Sequence, residues 1–235
     1  MNTFSALLIS LRMRSWTKNL FVFAGLLFAN LWNDPKAVGI TALGALGFCL
    51  LSSSVYLIND IADRKRDINH PEKKNRPIAS GVLSVPMALV AATLLAAGVL
   101  IGSWILAPTY AMVLSIYFVM QLCYSIKLKH VVILDVLIIA TGFVLRAIAG
   151  VTLAMDAGFN QVSISYWLIV CTFFLAIFLA FAKRRSEVIS LGRDAADHRK
   201  ILEEYSIPLL DEMMGIATAA SIIGYSIYSV SERTL

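Results

Sequence analysis

The sequence predicts an all-α protein, a polytopic transmembrane bundle of about seven helices. Three observations carry that expectation. The 235 residues are 59% hydrophobic and only 15% charged, with a mean hydropathy of +0.78. A soluble domain is nearer half apolar and a quarter charged. Apolar stretches also recur to the end of the chain, whereas a secretory signal is one short stretch near the start. Finally, the basic residues gather in alternate connections between those stretches.

A helical span needs about 20 apolar residues to cross roughly 30 Å of hydrocarbon. Residues 4–18 read as an amphipathic stretch, and 19–33 as a shorter apolar run that crosses or nearly crosses. Residues 37–58 carry no charge. Residues 81–126 carry none either, which is enough for two spans. Ala107-Pro108-Thr109 is the natural break between them, because Pro disrupts a helix interior and suits a helix start. Residues 131–153 are apolar except for Asp135 and Arg146, and both 164–182 and 213–231 are free of charge. No soluble domain, low-complexity tract or solenoid repeat is visible. The expectation is one transmembrane domain over 1–235.

All but three of the 20 Lys and Arg residues fall in four connections. These hold Arg12, Arg14 and Lys18; Arg64, Lys65, Arg66, Lys73, Lys74 and Arg76; Lys127 and Lys129; and Lys183, Arg184, Arg185, Arg193, Arg199 and Lys200. Lys36 and Arg233 lie in the opposite set, and Arg146 within a span. The positive-inside rule then puts the amino terminus and the basic connections in the cytoplasm of a cell (inner) membrane protein. Seven spans put the carboxyl terminus outside. The net charge of +5 suits anionic lipids and phosphates and does not suggest a nucleic-acid binder. Cys49, Cys123 and Cys171 sit far apart in apolar stretches, and His70, His130 and His198 are scattered. Zinc chemistry is therefore not expected.

Asn59, Asp60, Asp63 and Asp67 read N-D-x-x-D-x-x-x-D at the end of the second span. Asn59, Asp63 and Asp67 are spaced i, i+4, i+8 and share one helix face. Three oxygen donors stacked there repel one another or draw in a cation. Mg²⁺ takes hard oxygen ligands and completes its shell with water and substrate phosphate, so the ladder is a plausible seat for a magnesium-diphosphate. The alternative is a solvated helix end whose Asp residues pair with Arg64, Lys65 and Arg66. A calcium loop fails for lack of alternating ligands about a central Gly, and there is no Walker P-loop.

Lys73, Lys74 and Arg76 follow in a segment stiffened by Pro71 and Pro77. Acid followed by base suits a metal-diphosphate, since the metal neutralises some oxygens and Lys or Arg takes others. Ordinary positive-inside charge is the alternative. A second cluster comprises Tyr124, Lys127, Lys129 and Asp135. Arg146 follows Asp135 by 11 residues, close to three helical turns, on the same face and roughly 16 Å deeper. An arginine at that depth faces a cavity or a partner. Lys183, Arg184, Arg185 and Glu187 end the sixth span, with Arg185 read as a stop-transfer cap.

The N-D-x-x-D-x-x-x-D ladder, the N-R-P-I-A-S-G segment and the Y-S-x-K-x-K…D stretch resemble the UbiA superfamily of intramembrane prenyltransferases. R-S-W-T-K-N-L-F-V-F-A from position 14, G-F-V-L-R-A-I-A-G from 142 and A-K-R-R-S-E from 182 resemble its decaprenyl-phosphate phosphoribosyltransferase branch. The resemblance runs from about Arg12 to the last residue. It implies a helical bundle around a central cavity open to lipid, usually of nine helices. Seven are counted here, so the domain is expected to be cut short at its C-terminus or to belong to a short branch.

The resemblance also implies the reaction: a polyprenyl phosphate attacks the anomeric carbon of phosphoribosyl diphosphate (PRPP), and diphosphate leaves. The product feeds cell-wall arabinan precursors. Mg²⁺ is the implied cofactor, held by Asn59, Asp63 and Asp67. Catalytic candidates are Asp63, Asp67, Tyr124, Asp135 and Arg146. Substrate-binding candidates are Lys18, Asn59, Lys73, Arg76, Lys127, Lys129, Lys183, Arg184 and Glu187. The partners are membrane-embedded polyprenyl phosphate and PRPP, without nucleic acid; an oligomer is compatible with the sequence. Two other readings stand beside this one. A superfamily enzyme that moves a prenyl group from a prenyl diphosphate to an aromatic acceptor fits the ladder equally well. A transporter or lipid-binding protein fits less well, since the charges lie at one face and not at the midplane.

Overall fold

The computed structural model describes residues 2–159, 162–191, 202 and 204–230. His198, Arg193, Arg199, Lys200 and Arg233 lie outside the described residues. Among the described residues there are helices and turns and no strand. Six helices among the described residues are long and apolar enough to cross a membrane. The described chain falls into two compact units, Met1–Ile126 with Leu145–Ser163, and Lys127–Val144 with Ile164–Leu235.

The first unit opens with α1 (Thr3–Ser10), a 3-10 helix (Met13–Phe23) and α2 (Ala24–Phe28). The long α3 (Pro35–Asp67) follows, then α4 (Val85–Leu106) and α5 (Pro108–Ile126). α3 is its axis. Asp34 caps it, accepting from the Lys36 and Ala37 amides at 2.9 and 3.1 Å, with Pro35 in the first turn. Arg64, Lys65 and Arg66 in its last turn oppose the negative helix end. Phe48, Leu51, Tyr110, Leu114 and Tyr117 form its buried core. α4 turns Leu89, Val90, Leu94, Ile101 and Ile105 outward, as a lipid-facing helix does. The break at Ala107 and the start of α5 at Pro108 fall where the sequence predicts them.

The shorter predicted run, 19–33, is not a continuous α-helix. Its first five residues end the 3-10 stretch that began at Met13, five α-helical residues follow, and the remainder is turn. A 3-10 helix rises about 2.0 Å per residue against 1.5 Å. Residues 13–28 therefore cover about 30 Å, the depth of a hydrocarbon layer. They run antiparallel to α3, from Arg12 on Asp60 toward Asp34 at its start. The three-residue turn puts Trp16, Asn19 and Val22 on one face. Trp16 donates to Ser53 Oγ at 3.0 Å, while Asn19 and Val22 are buried. Gly150 admits this segment, because a Cβ there would lie 1.8 Å from the Val22 carbonyl oxygen.

The helix α6 (Leu134–Asp156) gives its later residues to the first unit and its earlier ones to the second. The second unit also holds α7 (Tyr166–Leu191) and α8 (Ile207–Ser229). These two pack as an antiparallel hairpin. Arg185 pairs with Asp211 at one end, and Gly224 meets Val170 at the other. Ala176, Ile177, Phe181, Leu210 and Ala217 fill the seam.

Candidate active site

Within the first unit the acidic ladder stands on the last two turns of α3. Asn59 Nδ2 donates to Asp63 Oδ2 at 3.2 Å, so these two predicted ligands are together. Asp67 is held differently: Arg76 Nη1 donates to its Oδ2 at 2.7 Å. The same nitrogen reaches Asp60 Oδ1 at 3.2 Å, and Arg12 Nη2 pairs with that oxygen too. Helical geometry explains the sharing, since residues seven apart point within about 20° of each other. Asp60 and Asp67 are buried, with the Arg12 and Arg76 guanidiniums part-exposed beside them. The acids thus pair with Arg12 and Arg76, while Arg64 donates to the Ile78 carbonyl at 3.3 Å.

The basic loop is shaped by its own backbone. His70 Nδ1 accepts from the Glu72 and Lys73 amides at 3.2 and 3.3 Å. Ser80 N donates to the Arg76 carbonyl, and Leu83 N to that of Pro77. Gly81 has φ +81, a conformation that costs glycine little and other residues more. This turn fixes Arg76 over α3. Lys73 is part-exposed on the loop, and Lys18 is exposed on the 3-10 segment.

Deeper in the same unit, Arg146 is buried. Its Nε donates to Asn19 Oδ1 at 2.8 Å and its Nη2 to the Tyr117 hydroxyl at 3.0 Å. Its guanidinium lies 5.2 and 5.0 Å from the Phe48 and Tyr117 ring centroids, a cation–π arrangement. Asn19 in turn donates to Cys49 Sγ and Ser52 Oγ on α3. Tyr124 is half-buried on α5.

In the second unit Asp135 is fully buried. Arg184 Nε donates to its Oδ2 at 3.0 Å, and the Tyr205 hydroxyl to its Oδ1 at 2.6 Å. Arg184 Nη1 also donates to Glu187 at 2.7 Å, and Lys183 Nζ lies 4.0 Å from the same carboxylate. The Tyr205 oxygen accepts from the Ile133 amide at 2.8 Å. Ile133 has φ 65, an outlier for a β-branched residue. Burial first, and then the bond to Asp135, push the Tyr205 phenol above its ordinary value. Lys129 is buried, while Lys127 and Lys183 are exposed.

Arg12, Asn19, Asp60, Tyr117 and Tyr205 are the residues that sequence reasoning did not assign to the site. Asp60 was legible as seven before Asp67. Asn19 was legible in the three-residue spacing Trp16, Asn19, Val22. Nothing local points to Tyr205.

Asn59 and Asp63 present hard oxygens on one face. Among the described residues no three His, Cys, Asp or Glu side chains converge into a closed metal cage. One carboxylate and one amide oxygen on a single face fit Mg²⁺, which takes one or two carboxylates and completes its octahedron with waters and substrate phosphate.

Residues 19–196 match the UbiA prenyltransferase family. The chain belongs to that family. It is 36% identical over 234 residues to the decaprenyl-phosphate phosphoribosyltransferase of Mycolicibacterium smegmatis, covering 98% of this chain and 72% of that one. It is 30% identical over 232 residues to the enzyme of the same name from Mycobacterium tuberculosis, covering 97% and 75%. Among solved structures, a UbiA homolog from Archaeoglobus fulgidus bound to DMAPP and Mg²⁺ superposes with a TM-score of 0.64 at 17% identity. That match covers 96% of this chain and 88% of the homolog. At that identity the likeness speaks for the fold, an all-helical UbiA bundle. The chain is thus an enzyme of the UbiA family and a multi-pass membrane protein.

Proposed function

We propose that the chain transfers a 5-phosphoribosyl group from PRPP to a polyprenyl phosphate, decaprenyl phosphate by analogy with its relatives, for arabinan precursor synthesis. The identity to two enzymes of that name over nearly the whole chain carries the reading. The acid–base arrangement on α3 and its loop supports it. The domain acts as one unit of function over 1–235, with the amino terminus and basic connections at the cytoplasmic face of the inner membrane. The clustering of Lys and Arg supports that orientation.

A lipid phosphate oxygen attacks the anomeric carbon, the carbon–oxygen bond to diphosphate breaks, and diphosphate departs with the electron pair. Asn59, Asp63 and Asp67 would hold Mg²⁺. When bound, the metal supplies charge stabilisation to the leaving oxygens. Arg76 and Lys73 lie beside the ladder to take diphosphate oxygens. Lys18, Lys127, Lys129 and Lys183 are further anion contacts for the 5-phosphate and the lipid phosphate. The acceptor is already anionic, so no strong general base is needed, and positioning supplies much of the rate. Arg146, held by Asn19 and Tyr117, gives a fixed positive charge in the first unit. Asp135, Arg184 and Glu187 form a fixed ion network in the second, and Tyr124 lines the site.

The test is purified protein in lipid with PRPP, Mg²⁺ and decaprenyl phosphate, read by mass spectrometry. The expected product is decaprenylphosphoryl-5-phosphoribose. Consumption of a prenyl diphosphate with an aromatic acceptor, and none of PRPP, overturns the reading.

A further inference from the structure

Four side chains at the end of α3 form a closed account of charge. Arg12 and Arg76 share Asp60 Oδ1, and Arg76 also holds Asp67 Oδ2. Two carboxylates and two guanidiniums are neutral together. Asp60 and Asp67 are 3% and 4% exposed, whereas each guanidinium side chain is 29% exposed. The bases lie on the wet side and cover the acids. A divalent cation approaching alone meets two positive groups before Asp60 or Asp67. A diphosphate approaching alone meets guanidiniums already satisfied by carboxylates. Either partner binding singly would break ion pairs and leave buried charge without compensation, which is strongly unfavourable.

We propose that Arg12 and Arg76 are the resident counter-ions of this site, and that loading exchanges partners. The guanidiniums leave Asp60 and Asp67 for the diphosphate as the divalent ion reaches Asn59, Asp63 and the released Asp67. Metal and diphosphate then bind as one unit, and charge stays balanced throughout. Arg12 thereby becomes an anion-binding residue. This rests on the phosphoribosyl-transfer reading only for the identity of the diphosphate.

The consequence runs against the usual effect of removing a ligand. Arg76→Gln uncovers Asp67, so Mn²⁺ alone, followed by electron paramagnetic resonance without any phosphate, binds about three- to tenfold more tightly than to the unaltered chain. Asp67→Asn releases Arg76, so inorganic pyrophosphate in excess EDTA binds tighter by a similar factor, about three- to tenfold. Arg12→Gln and Asp60→Asn repeat the pair of measurements at the other end of the chain of charges. They keep the test open if one variant fails to fold, as thermal melting in detergent will show. An unchanged or weaker Mn²⁺ affinity in both arginine variants overturns the exchange. So does an unchanged or weaker metal-free pyrophosphate affinity in both acid variants. The two failures are distinguishable. If PRPP reacts with decaprenyl phosphate while the single variants show no gain, the exchange falls and the activity stands. If the gains appear and PRPP is inert, the exchange stands with another diphosphate donor.

Discussion

In the proposed reaction Asn59 and Asp63 would hold the metal, and their contact across one helical turn gives them a definite expectation. Asp63→Asn keeps the size and removes the charge, so turnover should fall by about a hundredfold or more, as when one preorganised electrostatic group is lost, with little change in melting. Tyr205 belongs to a different class. Its hydroxyl joins Ile133, which is held at positive φ, to Asp135 at the start of α6. Tyr205→Phe removes both bonds and should cost about 1–3 kcal/mol of stability, seen as a lower melting temperature. The raised phenol value fixes the sign of its pH dependence. The folded state prefers the protonated phenol, so its contribution is complete below the unfolded tyrosine value of about 10. It is lost as pH rises beyond that value. The alkaline decline of the melting temperature should therefore be shallower in Tyr205→Phe.

At the scale of elements, the 3-10 stretch is the unusual one. Runs of this geometry longer than three or four residues are uncommon, yet 11 residues adopt it here. It presents Trp16, Asn19 and Val22 to one neighbouring surface at a spacing of three, and Asn19 carries that register to Arg146. Gly150 is what permits the close approach. Gly150→Ala would drive a methyl into the Val22 carbonyl, a backbone atom that cannot step aside alone. It should destabilise by about 1–3 kcal/mol and lower turnover by displacing Arg146, whereas Gly98→Ala on α4, where a Cβ meets open space, should be neutral. Arg146→Lys should also lose turnover, because an ammonium cannot bond Asn19 and Tyr117 with the fork of a guanidinium.

For the molecule as a whole, the clustering of Lys and Arg makes a directional prediction about the membrane. Single cysteines introduced at Lys74 and at Lys36, in a background without Cys49, Cys123 and Cys171, should label from opposite sides of oriented vesicles. Labelling of both from one side would remove the common face on which the ladder and basic loop depend. Metal removal acts at this scale too. EDTA should abolish transfer and Mg²⁺ should restore it, without change in helical content, because Asp60 and Asp67 are ion-paired and Asp63 accepts from Asn59 without a metal.

The sequence by itself determined the helical class, the break at Pro108, the acidic face of α3 and the basic connections. Each follows from a period of 3.6 residues, from the length of a bilayer or from the sign of a charge, and all of these are local. Only the tertiary structure decided the partners. Asp67 faces Arg76, Arg12 joins Asp60 across 48 residues, and Tyr205 reaches Asp135 across 70. Residues 13–23 likewise took 3-10 geometry against α3 and Gly150, a narrow surface with polar anchors at a spacing of three. Hydrogen bonds between side chains distant in sequence depend on how helices pack, and packing is a property of the whole chain that no local period contains.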